Sequence, residues 1–224
     1  LSGAGHGFKG GDAERAESRA FAFLDKHLKK ETKQRRILLS DHGPLGEIVA
    51  MDWPSGKVIW TKPNTRGHDV QSLPNGHVLF TVGGKKTVVE LDANGQPVWT
   101  YATGLEHPLA AQRLPSGNTL IGDAAAGRVI EVSRDGKVVW EYASPDIGKM
   151  RMRNSHRTAA GTTLIAVEAE AKVIEVDASG RIVWTWQAER GSERRLYQAR
   201  RLANGHTIIS LSDPGEIVEV DGAG

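Results

Sequence analysis

A tryptophan returns at positions 60, 99, 140 and 184, each time four residues after a glycine (Gly56, Gly95, Gly136, Gly180). The steps are 39, 41 and 44 residues. The surrounding words repeat too: "GEIVAMDWPSGKVIW", "KTVVELDANGQPVW", "GRVIEVSRDGKVVW", "AKVIEVDASGRIVW", and a last, shorter "GEIVEVDGAG". A second register keeps step with the first, as "VQSLPNGHVLFTV", "AQRLPSGNTLIGD", "HRTAAGTTLIAV" and "ARRLANGHTIISL", with turn glycines Gly76, Gly117, Gly161 and Gly205. Two registers repeating together from Ile37 onward restrict the chain to a tandem architecture.

The residue types in each block exclude a helical solenoid. In the second block "HDVQSL", "HVLFTV", "TVVELD" and "PVWTY" are short apolar or alternating runs rich in β-branched residues. They are separated by "PNG", "GGKK" and "ANG". Asn94-Gly95 and Asp135-Gly136 suit tight hairpins, because Asn and Gly adopt positive φ at little cost. Four antiparallel strands per repeat is the size of a β-propeller blade, so the fold class is all-β, a propeller with about five blades represented. A β-sandwich of similar strands is the alternative. The repeated Trp reads as packing between neighbouring sheets, with an aromatic ligand platform as the other reading. A Glu recurs at 90, 131, 175 and 219, and one role repeated per blade is architectural rather than catalytic.

Composition narrows the function classes. Hydrophobic residues make up 39% and charged residues 25%, ordinary for a globular chain, and a net charge of +2 gives no footprint for nucleic acid. No run approaches the roughly 18 apolar residues of a membrane helix. There is no Cys, so disulfides and thiol chemistry are out. No ligand spacing suggests a metal site.

"AMDWPSGKVIW" (Ala50, Asp52, Ser55, Gly56, Trp60) resembles the tryptophan-docking motif of quinoprotein-type propellers, with Ser in place of Thr. The later copies depart from it, as in Glu90, Asp92, Gly95 and Trp99, where Glu replaces Ala and the turn is one residue shorter. The "H…LPNG" half resembles the related arylsulfotransferase-like propellers. This resemblance to PQQ-like repeats covers 37–224 and implies the propeller fold. The family's quinone enzymes use an adjacent cysteine pair and a calcium site. Without Cys, pyrroloquinoline quinone is not expected, and no cofactor is. The resemblance implies an extracytoplasmic setting, periplasmic or secreted.

The amino end differs. "GAGHGF" followed by "AFAFLDKHLKK" resembles the last loop and helix of a dienelactone-hydrolase-like or prolyl-oligopeptidase-like α/β-hydrolase. There the triad order is Ser, Asp, His, and His6 falls at the His position, flanked by Gly5 and Gly7. Residues 1–33 are thus expected to be a hydrolase remnant, 34–36 a linker, and 37–224 the propeller. No G-x-S-x-G follows, so His6 would be catalytic only with an upstream Ser and Asp. Opening on Leu and stopping short of a fifth "KVVW", the sequence reads as part of a longer polypeptide whose ring has more blades. Expressed alone, such an open arc would be expected to associate or aggregate.

Candidate functional residues lie near the blade starts. Two long connections, "EYASPDIGKMRMRNSH" and "TWQAERGSERRLYQARR", concentrate Arg151, Arg153, Arg157, Arg194, Arg195, Arg200 and Arg201. Guanidinium groups hold carboxylate, sulfate or phosphate bidentately, so an anion site at that face is one reading and a solvated charged face the other. In arylsulfotransferase-like propellers a channel His carries the sulfuryl group. Here the candidates are His68 and His107, which strand alternation can place on one face, whereas His156 would point away. The functional expectations are three: a propeller binding a protein or small anionic ligand, an arylsulfotransferase-like enzyme, or a propeller gating a parent hydrolase.

Overall fold

The computed structural model describes residues 35–41, 46–64, 66–188, 195–212 and 215–222. The expectations for His6, the hydrolase-like helix and Arg194 fall outside them. The chain divides into two compact units, one of Leu1–Ile37 with Ala50–Ile59, the other of Leu38–Val49 with Trp60–Gly224. In the smaller unit, Asp52 N–H donates to Lys57 O at 2.8 Å and Gly56 N–H to Asp52 O at 2.9 Å. They close a turn in which Gly56 takes φ +69°, and Ser55 Oγ donates to the Asp52 carboxylate.

Five antiparallel sheets follow one another along the chain as propeller blades. The first holds β1 (Arg35–Ser40), β2 (Glu47–Trp53) and β3 (Val58–Pro63). Blade 2 holds β4 (Val70–Ser72), β5 (Val78–Val82), β6 (Thr87–Leu91) and β7 (Pro97–Tyr101). Blade 3 holds β8 (Pro108–Arg113), β9 (Thr119–Asp123), β10 (Arg128–Val132) and β11 (Val138–Ala143). Blade 4 holds β12 (Met152–Arg157), β13 (Thr163–Val167), β14 (Lys172–Val176) and β15 (Ile182–Gln187). Blade 5 holds β16 (Leu196–Arg201), β17 (Thr207–Leu211) and β18 (Glu216–Val220). Strand order within each sheet is sequence order, so the hairpin turns read from Gly95 and Gly136 are the connections that form, at φ +77° and +82°.

Why each strand lies where it does follows from its composition. β5, β9 and β13 are buried at every position, because a middle strand has a neighbouring blade against each face. A strand buried on both faces reads as a nearly continuous apolar run, as "VLFTV" and "TLIAV" do. The last strands are different: β7, β11 and β15 expose Val98, Val139 and Val183 and keep Trp99, Trp140 and Trp184 partly covered. The apolar clusters are wedges between consecutive blades. Leu109, Leu120 and Val129 of blade 3 meet Met152, Ile165 and Ile174 of blade 4. Leu164, Ala166 and Val173 of blade 4 meet Leu196, Ile209 and Leu211 of blade 5. Each blade therefore completes the core of its neighbour.

Irregularities repeat as well. The first two strands of blades 3, 4 and 5 lose register between Pro108 and Ala110, Met152 and Asn154, and Leu196 and Gln198. The last two strands of blades 2, 3 and 4 lose it after Glu90, Glu131 and Glu175. Such bulges add local twist and re-aim the side chains around them.

Candidate functional site

Aligning the blades on the turn glycine sorts the first-strand side chains by task. Four residues before it stand Ser72, Arg113, Arg157 and Arg201. The three arginines reach back to the preceding blade. Arg113 Nη2 donates to Glu90 Oε2 at 2.7 Å, and its Cζ lies 4.6 Å from the Trp99 ring centroid. Arg157 Nη2 donates to Glu131 Oε2 at 2.9 Å and lies 4.8 Å over Trp140. Arg201 pairs with Glu175 and lies 5.0 Å over Trp184. Each also donates to the carbonyl of its own turn glycine, Gly117, Gly161 or Gly205. The repeated Glu and Trp are thus two ends of one inter-blade tie. Two of the arginines grouped into an anion-binding face, Arg157 and Arg201, belong to it.

Glu90 is engaged by three side chains. It is 2% exposed and takes His77 Nδ1 at 2.8 Å as well as Arg113 and Arg134. Burial alone would raise its carboxyl. The hydrogen bonds from His77 and Arg134, with the charges of Arg113 and Arg134, outweigh that and hold it below the ordinary range. The tie leans on the indoles from the other side, where Trp99 Nε1 donates to Arg134 O at 3.0 Å and Trp140 Nε1 to Ala178 O at 2.9 Å, both in the next blade.

Five and seven residues before the glycine the side chains line the inner ends of the strands. Asp69 Oδ2 accepts from Ala111 N–H at 3.3 Å, and Gln71 Oε1 from Arg113 N–H at 2.7 Å. Gln112 Oε1 accepts from Arg157 N–H at 2.7 Å, and its Nε2 donates to Arg157 O at 3.3 Å. Blade 2 is clipped to blade 3 and blade 3 to blade 4 by the same device. Blade 4 breaks the series: its residues at these positions are Asn154 and His156, and the buried Asn154 Oδ1 and His156 Nδ1 have no hydrogen-bond partner. Blade 5 follows with Gln198 and Arg200.

The charges here are few and strongly felt. Arg200 is partly buried, and among the described residues no side chain hydrogen-bonds or ion-pairs with its guanidinium; the opposing charge it feels is the Asp69 carboxylate of blade 2. Burial pushes Asp69 up from the usual carboxylate range, against the pull of Arg200 and of the Ala111 and Val70 amides. Burial, then the charge of Arg200, pushes His156 down to about 4, so its ring is neutral at pH 7.

The remaining candidates separate. The rings of His68 and His107 lie edge to face with centroids 6.2 Å apart, while His156 neighbours Arg200 instead. Arg151 pairs with Glu170. Arg153 stacks over Tyr197 of the next blade at 4.3 Å, with Glu168 at 3.7 Å. Arg195 is exposed, and its carbonyl accepts from Ser212 N–H at 2.8 Å. Sequence reasoning passed over Asp69, Gln71, Gln112 and Asn154. The signal for them was spacing from the turn glycine, applied to polar residues other than His. Among the described residues no group of three or more His, Asp or Glu is placed to hold a metal. No described helix is long and apolar enough to cross a membrane.

Similarity to known proteins agrees with this architecture. The family model described as outer membrane protein assembly factor BamB matches residues 45–223. No curated protein matches the chain. A protein of unknown function from Bacteroides caccae superposes with TM-score 0.63 at 20% identity, covering 87% of this chain and 80% of that one. Virginiamycin B lyase from Staphylococcus aureus superposes with TM-score 0.62 at 14% identity, covering 85% and 67%. The WD40 β-propeller domain of Doa1 superposes with TM-score 0.65 at 14% identity, covering 83% of this chain and 60% of that one. At such identities the likeness is one of fold.

Proposed function

The chain belongs to the family described as outer membrane protein assembly factor BamB, and from that premise we propose that it is a binding module. It would hold a small polar ligand or a protein segment at the inner ends of its blades without transforming it. One observation carries this reading: the repeated Glu, Arg and Trp are consumed by inter-blade ties, whereas Asn154, His156 and Arg200 stand at the inner strands with unused hydrogen-bonding capacity. Propeller repeats need no catalytic group to present such a surface.

The module would sit in a longer extracytoplasmic polypeptide behind a serine hydrolase domain, as the His6 loop suggests. Sequencing the ends of the native polypeptide tests that point. A transferase reading has one observation in its favour, the approach of His68 to His107, because a sulfuryl carrier needs a channel imidazole.

A calorimetric survey of small polar ligands and peptides, run beside an aryl-sulfate transfer assay, distinguishes the readings. Saturable binding without turnover supports the binding module. Turnover that disappears in His68→Ala or His107→Ala replaces it with the transferase.

A further inference from the structure

At the inner wall between blades 4 and 5 the repeat stops using its own polar groups. Asp69 and Gln71 clip blade 2 to blade 3 through backbone amides, and Gln112 does the same for the next junction. The equivalent side chains of blade 4, Asn154 and His156, make no such bond. Asn154 is 6% exposed with Oδ1 unsatisfied, and His156 Nδ1 is buried and unsatisfied. A buried polar atom without a partner is costly, so a ligand that supplies the missing bonds gains by entering here. On the first strand of the next blade, Arg200 presents a guanidinium that ion-pairs with no described side chain.

We propose that Asn154, His156 and Arg200 form a binding site for a small monocarboxylate that carries a hydroxyl beside its carboxyl group. This rests on the binding reading above and names its ligand class. The guanidinium accepts a carboxylate bidentately. The unsatisfied Asn154 Oδ1 is an acceptor and takes a ligand hydroxyl, while the neutral His156 offers one ring N–H and one lone pair. A dianion fits worse than a monoanion. The site holds one cation, its histidine is neutral at pH 7, and the Asp69 carboxylate of blade 2 lies within Coulombic reach, so a second negative charge would go uncompensated.

The test uses the full chain and glycolate as the probe, with acetate and inorganic phosphate at matched ionic strength. At about pH 8.5, where phosphate is the dianion, glycolate should bind saturably, acetate more weakly, and phosphate at least about tenfold more weakly, the cost of one uncompensated charge contact. Arg200→Gln should weaken glycolate by a similar factor. Because that variant changes a partly buried charge, the His156 ring resonances of the unsubstituted chain are followed as well, and glycolate should shift them. Linear, unsaturable glycolate titration, equal affinity in Arg200→Gln, or unmoved His156 resonances overturns the proposal. If glycolate fails while another ligand or peptide of the survey binds, the ligand class is wrong and the binding module stands. If nothing binds, both fall.

Discussion

Arg157 lies over the indole of Trp140 in the preceding blade, its Cζ 4.8 Å from the ring centroid, while the same guanidinium donates to Glu131 at 2.9 Å. One side chain thus satisfies a carboxylate and covers an aromatic face at the seam between two sheets. A cation over an aromatic ring and a charge-assisted hydrogen bond act together here. Arg157→Ala should lower unfolding free energy by about 1–3 kcal/mol, leaving Glu131 without its cation, with an unchanged slope against urea. Arg157→Lys should recover less than half, since an ammonium cannot keep both contacts.

The same tie is stronger one blade earlier. Glu90 is 2% exposed and serves His77, Arg113 and Arg134, whereas Glu131 is 15% exposed and serves Arg157 and Asn118. Glu90→Gln should therefore destabilise by about 2–4 kcal/mol and Glu131→Gln by about half of that, measured in parallel urea titrations.

Trp140→Phe separates the indole ring from its N–H. It retains an aromatic surface beneath Arg157 but loses the 2.9 Å hydrogen bond to Ala178 O, and should cost about 1 kcal/mol for the bond plus a smaller loss of contact. Trp140→Ala removes both and should cost about 3 kcal/mol, somewhat below a full core truncation because the indole is partly exposed.

Gly122 occupies the middle of β9 without needing a positive φ; its reason is space. A Cβ there would lie 2.8 Å from Ser155 Oγ and 3.3 Å from both Ala110 Cβ and Met152 Cε. Gly122→Ala should destabilise by about 1–3 kcal/mol through overpacking of the blade 3–blade 4 seam, and Met152→Ala in the same chain should relieve part of the clash.

His156 makes a prediction about acid. Its folded-state value is near 4, below the ordinary 6.5, so between those values the unfolded chain binds a proton that the folded chain refuses. Stability contributed by the neutral ring is present above pH 6.5 and is lost as pH falls toward 4. Replacing His156 with Gln should flatten the slope of stability against pH in that window. Glu90 acts lower on the scale. Its depressed carboxyl contributes stability above the ordinary 4.5 that is lost on further acidification, so Glu90→Gln should flatten the curve only there.

The propeller was legible because its signals are local and repeated. Gly95 and Gly136 adopt the positive φ their turns require, and the runs around them are the strands. The site was less legible because neighbours in sequence were read as neighbours in space. Arg200 and Arg201 are adjacent in β16, yet strand alternation sends one toward the charge of Asp69 and the other onto Trp184 and Glu175. Arg157, pooled with Arg153, parts from it for a different reason: four residues apart they would share a face, but the register shift between Met152 and Asn154 falls at Arg153. The bulges after Pro108, Met152 and Leu196 shift the phase of that alternation, and nothing in the residue types announces them. Asn154 was invisible for another reason: its significance lies in a bond that Asp69 makes at the equivalent place and it does not.

Among the described residues, the Glu–Arg pairs, indole hydrogen bonds and side-chain-to-amide clips of blades 2 to 5 each join a blade to the one synthesised immediately after it. Trp99 waits for the Arg134 carbonyl, Gln71 for the Arg113 amide, Glu90 for the Arg113 guanidinium. A nascent chain leaving the ribosome can therefore dock its blades in the order in which they emerge, each finding its partners in the blade already folded behind it, with no need to search distant sequence for them.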